Sequence, residues 1–258
     1  MSGAPTAQLP PVAQYALRLG DDALILAQRL GEWAANAPEL EEDVALTNIA
    51  LDLLGQARVL LTHAGKIEAA GRTEDDFAFL RDERDFVNVQ LVEQPNGDFA
   101  QTIARQLFFT AYQRLLYARL ADSVDPTLSG VAGKAIKEVD YHEDHAAGWT
   151  RRLGDGTEES HRRMQAGVDR LWPYIDELFR TDQLEQRLVA EGIAVDASGL
   201  REEWHKRVTS VLDEATLAAP EGSWTAPGGG RRGLHTEAFG YLLAEMQHLH
   251  RTHQGARW

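Results

Sequence analysis

Ala50-Leu51-Asp52-Leu53-Leu54-Gly55-Gln56-Ala57-Arg58 decides how the rest of the chain is read. Leu46, Ala50, Leu53, Ala57, Leu60 and Ala64 recur at spacings of three and four, the apolar stripe of a helix that faces a core. Leu53 and Gln56 share that inward face. A carboxylate-bridged pair of irons inside a helical bundle needs Glu-x-x-His at such a place. The chain offers Leu-x-x-Gln. A second stretch, Lys137-Glu138-Val139-Asp140-Tyr141-His142, lies on another stripe, Leu128, Ala132, Ala135, Val139, His142, Ala146 and Trp149. It reads Val-x-x-His. Aliphatic side chains stand where the bridging acids of an iron pair belong.

Helical periodicity continues outward from both stretches, and no alternating strand pattern of useful length interrupts it. Bundle helices are expected over about 12–35, 39–69, 98–123 and 126–154. Asn36-Ala37-Pro38 stops the first. Glu39, Glu41, Glu42 and Asp43 open the second, where the helix dipole favours negative charge. Asp125-Pro126 starts the fourth, and Gly154-Asp155-Gly156 ends it. Two short connections flanking one long one is the connectivity of ferritin-like bundles. The predicted class is all-α: a ferritin-like four-helix bundle with a long B–C crossover and additional C-terminal helices. Those accessory helices fill 158–258: about 158–180, with Pro173 as a kink or break, then 182–191, 198–217 and 234–251. Residues 12–258 read as a single helical domain, preceded by a loose Pro- and Ala-rich tail over 1–11 that lacks the basic start of a signal peptide.

Composition narrows the function. The 258 residues carry a formal charge of −14, which argues against nucleic acid as a partner. The chain has no cysteine, which removes disulfides, thiolate chemistry and iron–sulfur clusters and fits a cytoplasmic protein. No run approaches the roughly 18 consecutive apolar residues of a membrane helix.

The donor set is thin. The third helix has no Asp or Glu between Asp98 and Asp122, and Thr110 sits near its middle, where a carboxylate is wanted. Only His142, and one of Asp21 or Asp22 on the first helix, remain as donors. Two scattered donors do not hold an iron pair against water. His142 then reads as a hydrogen-bonded core histidine. Glu245-Met246-Gln247-His248 is a literal Glu-x-x-His, with His250 and His253 behind it, but it lies outside the four bundle helices and no second element accompanies it. It reads as the His-rich surface end of a helix, and His142 with His145 has no better standing as a metal pair. Arg231, Arg232 and His235, after Gly228-Gly229-Gly230, offer an anion site; the plainer reading is a loop facing water or a partner.

At this point the chain resembles a known family. Leu17-Arg18-Leu19-Gly20-Asp21-Asp22, Gln28-Arg29-Leu30-Gly31-Glu32-Trp33 and the opening stretch at 50–58 are similar to the non-catalytic, C-type subunits of bacterial phenylacetyl-CoA epoxidases. So are Arg81-Asp82-Glu83-Arg84, Val92-Glu93-Gln94-Pro95-Asn96-Gly97-Asp98, Lys134-Ala135-Ile136-Lys137-Glu138 and Gly233-Leu234-His235-Thr236-Glu237. The match runs from about residue 13 to Trp258.

The resemblance implies a structural subunit of a monooxygenase complex in aerobic phenylacetate breakdown. There a homologous di-iron catalytic subunit binds phenylacetyl-CoA and forms a ring epoxide, with a reductase bringing electrons from NADPH. In the catalytic relatives Asp-Glu-x-Gly-His stands where this chain has Asp52-Leu53-Leu54-Gly55-Gln56, and Lys-Glu-Glu-x-x-His where it has Lys137 to His142. The resemblance therefore implies no catalytic residue, no cofactor and no metal on this chain, and vestigial di-iron positions at Leu53, Gln56, Val139 and His142, to which the reading of the third helix adds Thr110. The implied partners are the catalytic subunit, with self-association and the reductase as further contacts, and neither nucleic acid nor membrane. Arg29 and Trp33, near the expected exposed end of the first helix, are the interface candidates. An autonomous di-iron oxidase with atypical ligands, or a ferritin-like store, stays open as the alternative.

Overall fold

The structure is a computed structural model that describes residues 6–222, 224–253 and 255–256. Ten α-helices follow one another among the described residues, with no strand. They are α1 (Pro11–Gly31), α2 (Leu40–Glu68), α3 (Glu74–Phe79), α4 (Gln90–Glu93), α5 (Phe99–Leu120), α6 (Pro126–Gly154), α7 (Glu158–Leu171), α8 (Gln183–Ala190), α9 (Arg201–Glu214) and α10 (Glu237–Thr252). Two long helix pairs, α1–α2 and α5–α6, flank a crossover that holds α3 and α4. The fold is all-α and ferritin-like in this order, with accessory helices after α6.

Local chemistry sets the boundaries. The Asp125 carboxylate accepts the Thr127 and Leu128 N–H groups at 2.9 and 3.0 Å, and Pro126 needs no partner at the first helical position. Asp98 caps α5 by accepting from Gln101 N–H at 2.9 Å. The expected helix over 158–180 is corrected: α7 stops at Leu171, and Trp172–Phe179 winds as a 3-10 helix, because Pro173 supplies no N–H to an α-helix. The expected 198–217 helix is a 3-10 turn, Ala197–Leu200, followed by α9. α1 ends at Gly31, before the predicted 35; the residues after it form turns, with Ala35 at φ 63°. The loose-tail reading also needs correction for residues 6–11. Thr6 donates its hydroxyl to the Asp85 carbonyl at 2.6 Å, and Leu9 is buried. Residues 1–5 lie outside the described residues.

The chain forms two compact units, Met1–Pro95 with Gly229–Trp258, and Asn96–Gly228. In the first, α1 packs along α2, and the crossover and α10 pack against α1. Every residue of α1 from Tyr15 to Ala27 is buried, including Arg18, Asp21 and Asp22. In the second, α5 is buried at every residue from Ala100 to Gln113, with α6, α7 and α9 against it. Phe108, Trp172, Phe179 and Trp204 form an aromatic cluster there, fixed by the Trp204 Nε1–H donated to the Phe108 carbonyl at 2.9 Å.

Gly167 sets how closely α7 approaches α5: a Cβ there would lie 2.9 Å from Gln101 Cα. Gly130 and Gly133, also helical, have nothing within 4 Å of such an atom. Gly167→Ala should therefore destabilise the protein by about 1–3 kcal/mol through overpacking. Gly130→Ala and Gly133→Ala should each stabilise it by about 0.5–1 kcal/mol through helix propensity. Urea unfolding midpoints check the signs; a stabilising Gly167→Ala would show that α5 and α7 are not packed this closely.

Candidate functional site

The positions singled out by the sequence are placed unit by unit. In the first unit, Leu53 and Gln56 of α2 are both buried. In the second, Thr110 of α5 and Val139 and His142 of α6 are buried, on two helices that pack together. Thr110 returns its hydroxyl to the Gln106 carbonyl one turn back, at 2.7 Å. None of the five side chains is a carboxylate. Among the described residues no three His, Asp or Glu side chains converge to hold a metal. Glu245 and His248 are exposed on α10, while Gln247 between them is buried and donates to the Ala78 and Arg81 carbonyls at 3.0 Å each. This donor chemistry does not fit a di-iron centre.

The acids of α1 serve another purpose. Asp21 accepts Arg81 Nη1 at 3.0 Å and the Val87 N–H at 2.9 Å, and Arg81 Nη2 closes a second bond to it. The Arg81 guanidinium lies over the Phe86 ring, 4.1 Å from its centre. Asp22 accepts Arg231 through both terminal nitrogens, at 3.0 and 2.7 Å, and the Val89 N–H at 2.8 Å. Arg231 also donates to the Arg18 and Val87 carbonyls. Burial pushes the Asp22 carboxyl up to about 6, against the charge and hydrogen bonds of Arg231 and the Val89 N–H. At neutral pH the pair is ionised.

A third pair continues this centre. His235 faces Glu93 Oε2 with Nδ1 at 2.7 Å and the Phe86 carbonyl with Nε2 at 3.0 Å. Both ring nitrogens face acceptors, so only the doubly protonated imidazolium satisfies both. Glu93 also accepts from Asn88 at 2.9 Å and from the Thr236 N–H at 2.6 Å. Burial alone would hold the His235 pKa down; the hydrogen bond and charge of Glu93, with the Phe86 carbonyl, outweigh it and raise the value. The arrangement joins α1, the crossover and the segment before α10.

Several candidates are thereby corrected. Arg231 and His235 do not offer an anion site, because Asp22 and Glu93 already occupy them. Arg232 is exposed. Arg29 is not at an exposed helix end. It is 7% exposed, and it donates to the Glu93 carbonyl at 3.0 and 2.7 Å, to the Ala238 carbonyl at 3.2 Å and to Glu32 at 2.8 Å. Trp33 is half-buried in the turns after α1. Local sequence patterns give no individual role to Arg81 or Glu93. The signal available was their setting: charges inside a connection whose neighbours Val89, Leu91 and Val92 are apolar.

These features accompany clear relationships. The family described as phenylacetic acid catabolic protein matches residues 2–258. The C subunit of 1,2-phenylacetyl-CoA epoxidase from Escherichia coli (strain K12) is 51% identical over 244 residues, 95% of this chain and 98% of that protein.

Both raised pKa values give stability the same sign. A carboxyl raised to about 6 favours the folded state most at low pH, and that contribution falls as pH climbs to 6. The contribution of a raised histidine is complete below its ordinary value and is lost as pH rises through the folded one. The melting temperature should therefore fall as the solution is made alkaline beyond the ordinary histidine range. His235→Ala should lose about 3–5 kcal/mol at pH 6, because it leaves Glu93 buried beside no cation, and should abolish that alkaline slope. Parallel pH profiles for the two proteins would show that His235 is not charged.

Proposed function

Because the chain belongs to the phenylacetic acid catabolic protein family, we propose that it is a structural subunit of the multicomponent monooxygenase that epoxidises the ring of phenylacetyl-CoA in aerobic phenylacetate degradation. It binds no cofactor itself and supports a homologous di-iron catalytic subunit. It works in the cytoplasm.

One observation carries the partnership. Leu40, Val44, Leu51 and Leu54 of α2 are 75, 53, 59 and 46% exposed. Thr47 falls on the same line, between Val44 and Leu51, and is half-buried. With Thr47 included the spacing is four, three, four and three, the period of a seam that receives the knobs of another helix. The opposite face, with Leu46, Ile49, Leu53 and Leu60, is buried. A helix apolar on both sides has more apolar surface than its own unit covers. The same excess makes α2 long and apolar enough, by length and composition, to cross a membrane, although the sequence has no unbroken apolar run there. Interspersed Glu41, Asn48, Asp52 and Arg58 favour a protein partner over lipid. Towards the end of the seam a cleft of about 330 Å³, lined by Leu24, Leu54, Leu61 and Phe79, offers a socket for a partner side chain. An interface built on this face would exceed the roughly 1,200 Å² of a weak contact. Trp33 is proposed as an edge residue of that interface.

Adjacent residues on α2 give the test. Leu53→Glu places a lone charge in the core; it should cost about 3–5 kcal/mol and confer no tight iron binding. Leu51→Glu with Leu54→Glu should leave the fold and melting temperature intact and weaken co-elution with the di-iron subunit by about 100-fold or more. Size-exclusion chromatography of the co-expressed pair reads this, and elemental analysis of the isolated chain should find almost no iron. Separate elution of the wild-type chains at micromolar concentration, or about two irons per chain, would overturn the reading. Co-elution that survives the double substitution would move the interface off α2.

A further inference from the structure

A cleft of about 740 Å³ opens within the second unit and uses none of the positions considered above as sites. Its floor is aromatic. Trp204, 2% exposed, is locked by its bond to Phe108 and meets Phe179 edge-on at 5.5 Å between ring centres. Trp172, half-buried, lies 6.0 Å from Trp204 and forms a wall. The rim carries Asp176, Glu202 and Glu221 against one permanent cation, Arg201.

The charges on that rim are not equivalent. Arg201 is matched by Asp176 at 2.6 Å, and its guanidinium lies 5.0 Å from the centre of the Phe179 ring. Glu202 is bonded to Lys206 at 2.7 Å. Glu221, in the segment after α9, has no partner among the described residues. The cleft thus combines electron-rich ring faces with a carboxylate that no cation among the described residues neutralises. Its own Arg201 already shows the preferred arrangement, a flat cation on a ring with a carboxylate beside it.

We propose that this cleft is a binding site for a planar organic cation, a guanidinium or amidinium carried on an apolar body, stacked on Trp172 with its charge towards Glu221. An anion of the same shape meets three carboxylates and an arginine already taken. A neutral ring gains the stacking and leaves Glu221 unmatched. A metal ion finds no three donors converging there among the described residues. A free small molecule and an arginine side chain of a partner polypeptide share this chemistry.

Three probes of one shape and different charge test it by calorimetry on the full chain: benzamidinium, benzamide and benzoate. Benzamidinium should bind saturably, about 10-fold or more tighter than benzamide, and benzoate should not bind. Added salt should weaken the amidinium. Glu221→Gln, at an exposed loop position, should leave the melting temperature unchanged and weaken benzamidinium about 10-fold, towards the level of benzamide. Trp172→Leu should remove the stacking and the binding; because Trp172 also packs in the cluster, Glu221→Gln is the variant that decides if Trp172→Leu fails to fold. A short Trp-free peptide with one arginine, binding tighter than benzamidinium, would support a partner side chain as the occupant; the reverse order would support a free cation. Benzoate binding as tightly as benzamidinium, no saturable binding of benzamidinium, or full affinity in Glu221→Gln would overturn the proposal.

Discussion

Asp21 and Asp22 sit side by side in the stretch of α1 where every residue is buried, and two adjacent carboxylates out of water are the costliest demand the first unit makes. The demand is met from far along the chain. Arg81 lies 60 residues from Asp21, and Arg231 lies 209 residues from Asp22. The backbone N–H groups of Val87 and Val89 complete the two carboxylates. Apolar burial would tolerate many placements of the crossover and of the loop before α10, because it is not directional. Bidentate pairing to two fixed carboxylates tolerates very few. Glu93 with His235, and Gln247 on the Ala78 and Arg81 carbonyls, follow once those segments are in place.

The long helices were legible because their signals are local. For α6, Asp125-Pro126 and Gly154 mark both ends, and the observed bounds match the expected ones. For α1 the apolar pattern runs on through Trp33 and Ala34, so periodicity overshot a helix that ends at Gly31. The break at Pro173 was visible, but the 3-10 helix that follows it depends on packing by the aromatic cluster. The charged centre was illegible for a different reason. Pairings across 60 to 209 residues leave no trace in a local window. Asp22 read as half of a metal site and Arg231 as half of an anion site, each looking for an external partner, when each is the partner of the other. Arg29 failed in the same way: a charged residue near a helix end reads as exposed, and here three carbonyl contacts and Glu32 use its guanidinium.

The exposed side of α2 was harder to see than its core side. Leu46, Leu53 and Leu60 repeat every seven residues. Val44 and Leu51 are seven apart as well, and Leu40, Thr47 and Leu54 repeat at the same interval with one polar member. A helix tolerates a threonine on a core stripe, as α5 does at Thr102 and Thr110, so Thr47 does not mark its side as the outer one. Two apolar stripes on one helix leave the choice to tertiary packing, and α1 lies against one of them.

Buried positions elsewhere show the complementary solution to the one on α1. An acid at Leu53 or Val139 would need a cation beside it, the role that Arg81 and Arg231 fill for Asp21 and Asp22. Aliphatic side chains remove the need. Along α5 the buried residues Thr102, Gln106, Thr110 and Gln113 are polar but carry no charge. Thr102 and Thr110 give their hydroxyls to the Asn96 and Gln106 carbonyls at 3.0 and 2.7 Å. A hydroxyl bonded back to the chain costs little to bury, whereas a lone carboxylate costs several kcal/mol. Leu53, Val139 and the middle of α5 therefore need no bound cation to be stable. In the Asp22 and His235 pairs of the first unit, arginine, aspartate and histidine do what aliphatic packing does at Leu53 and Val139.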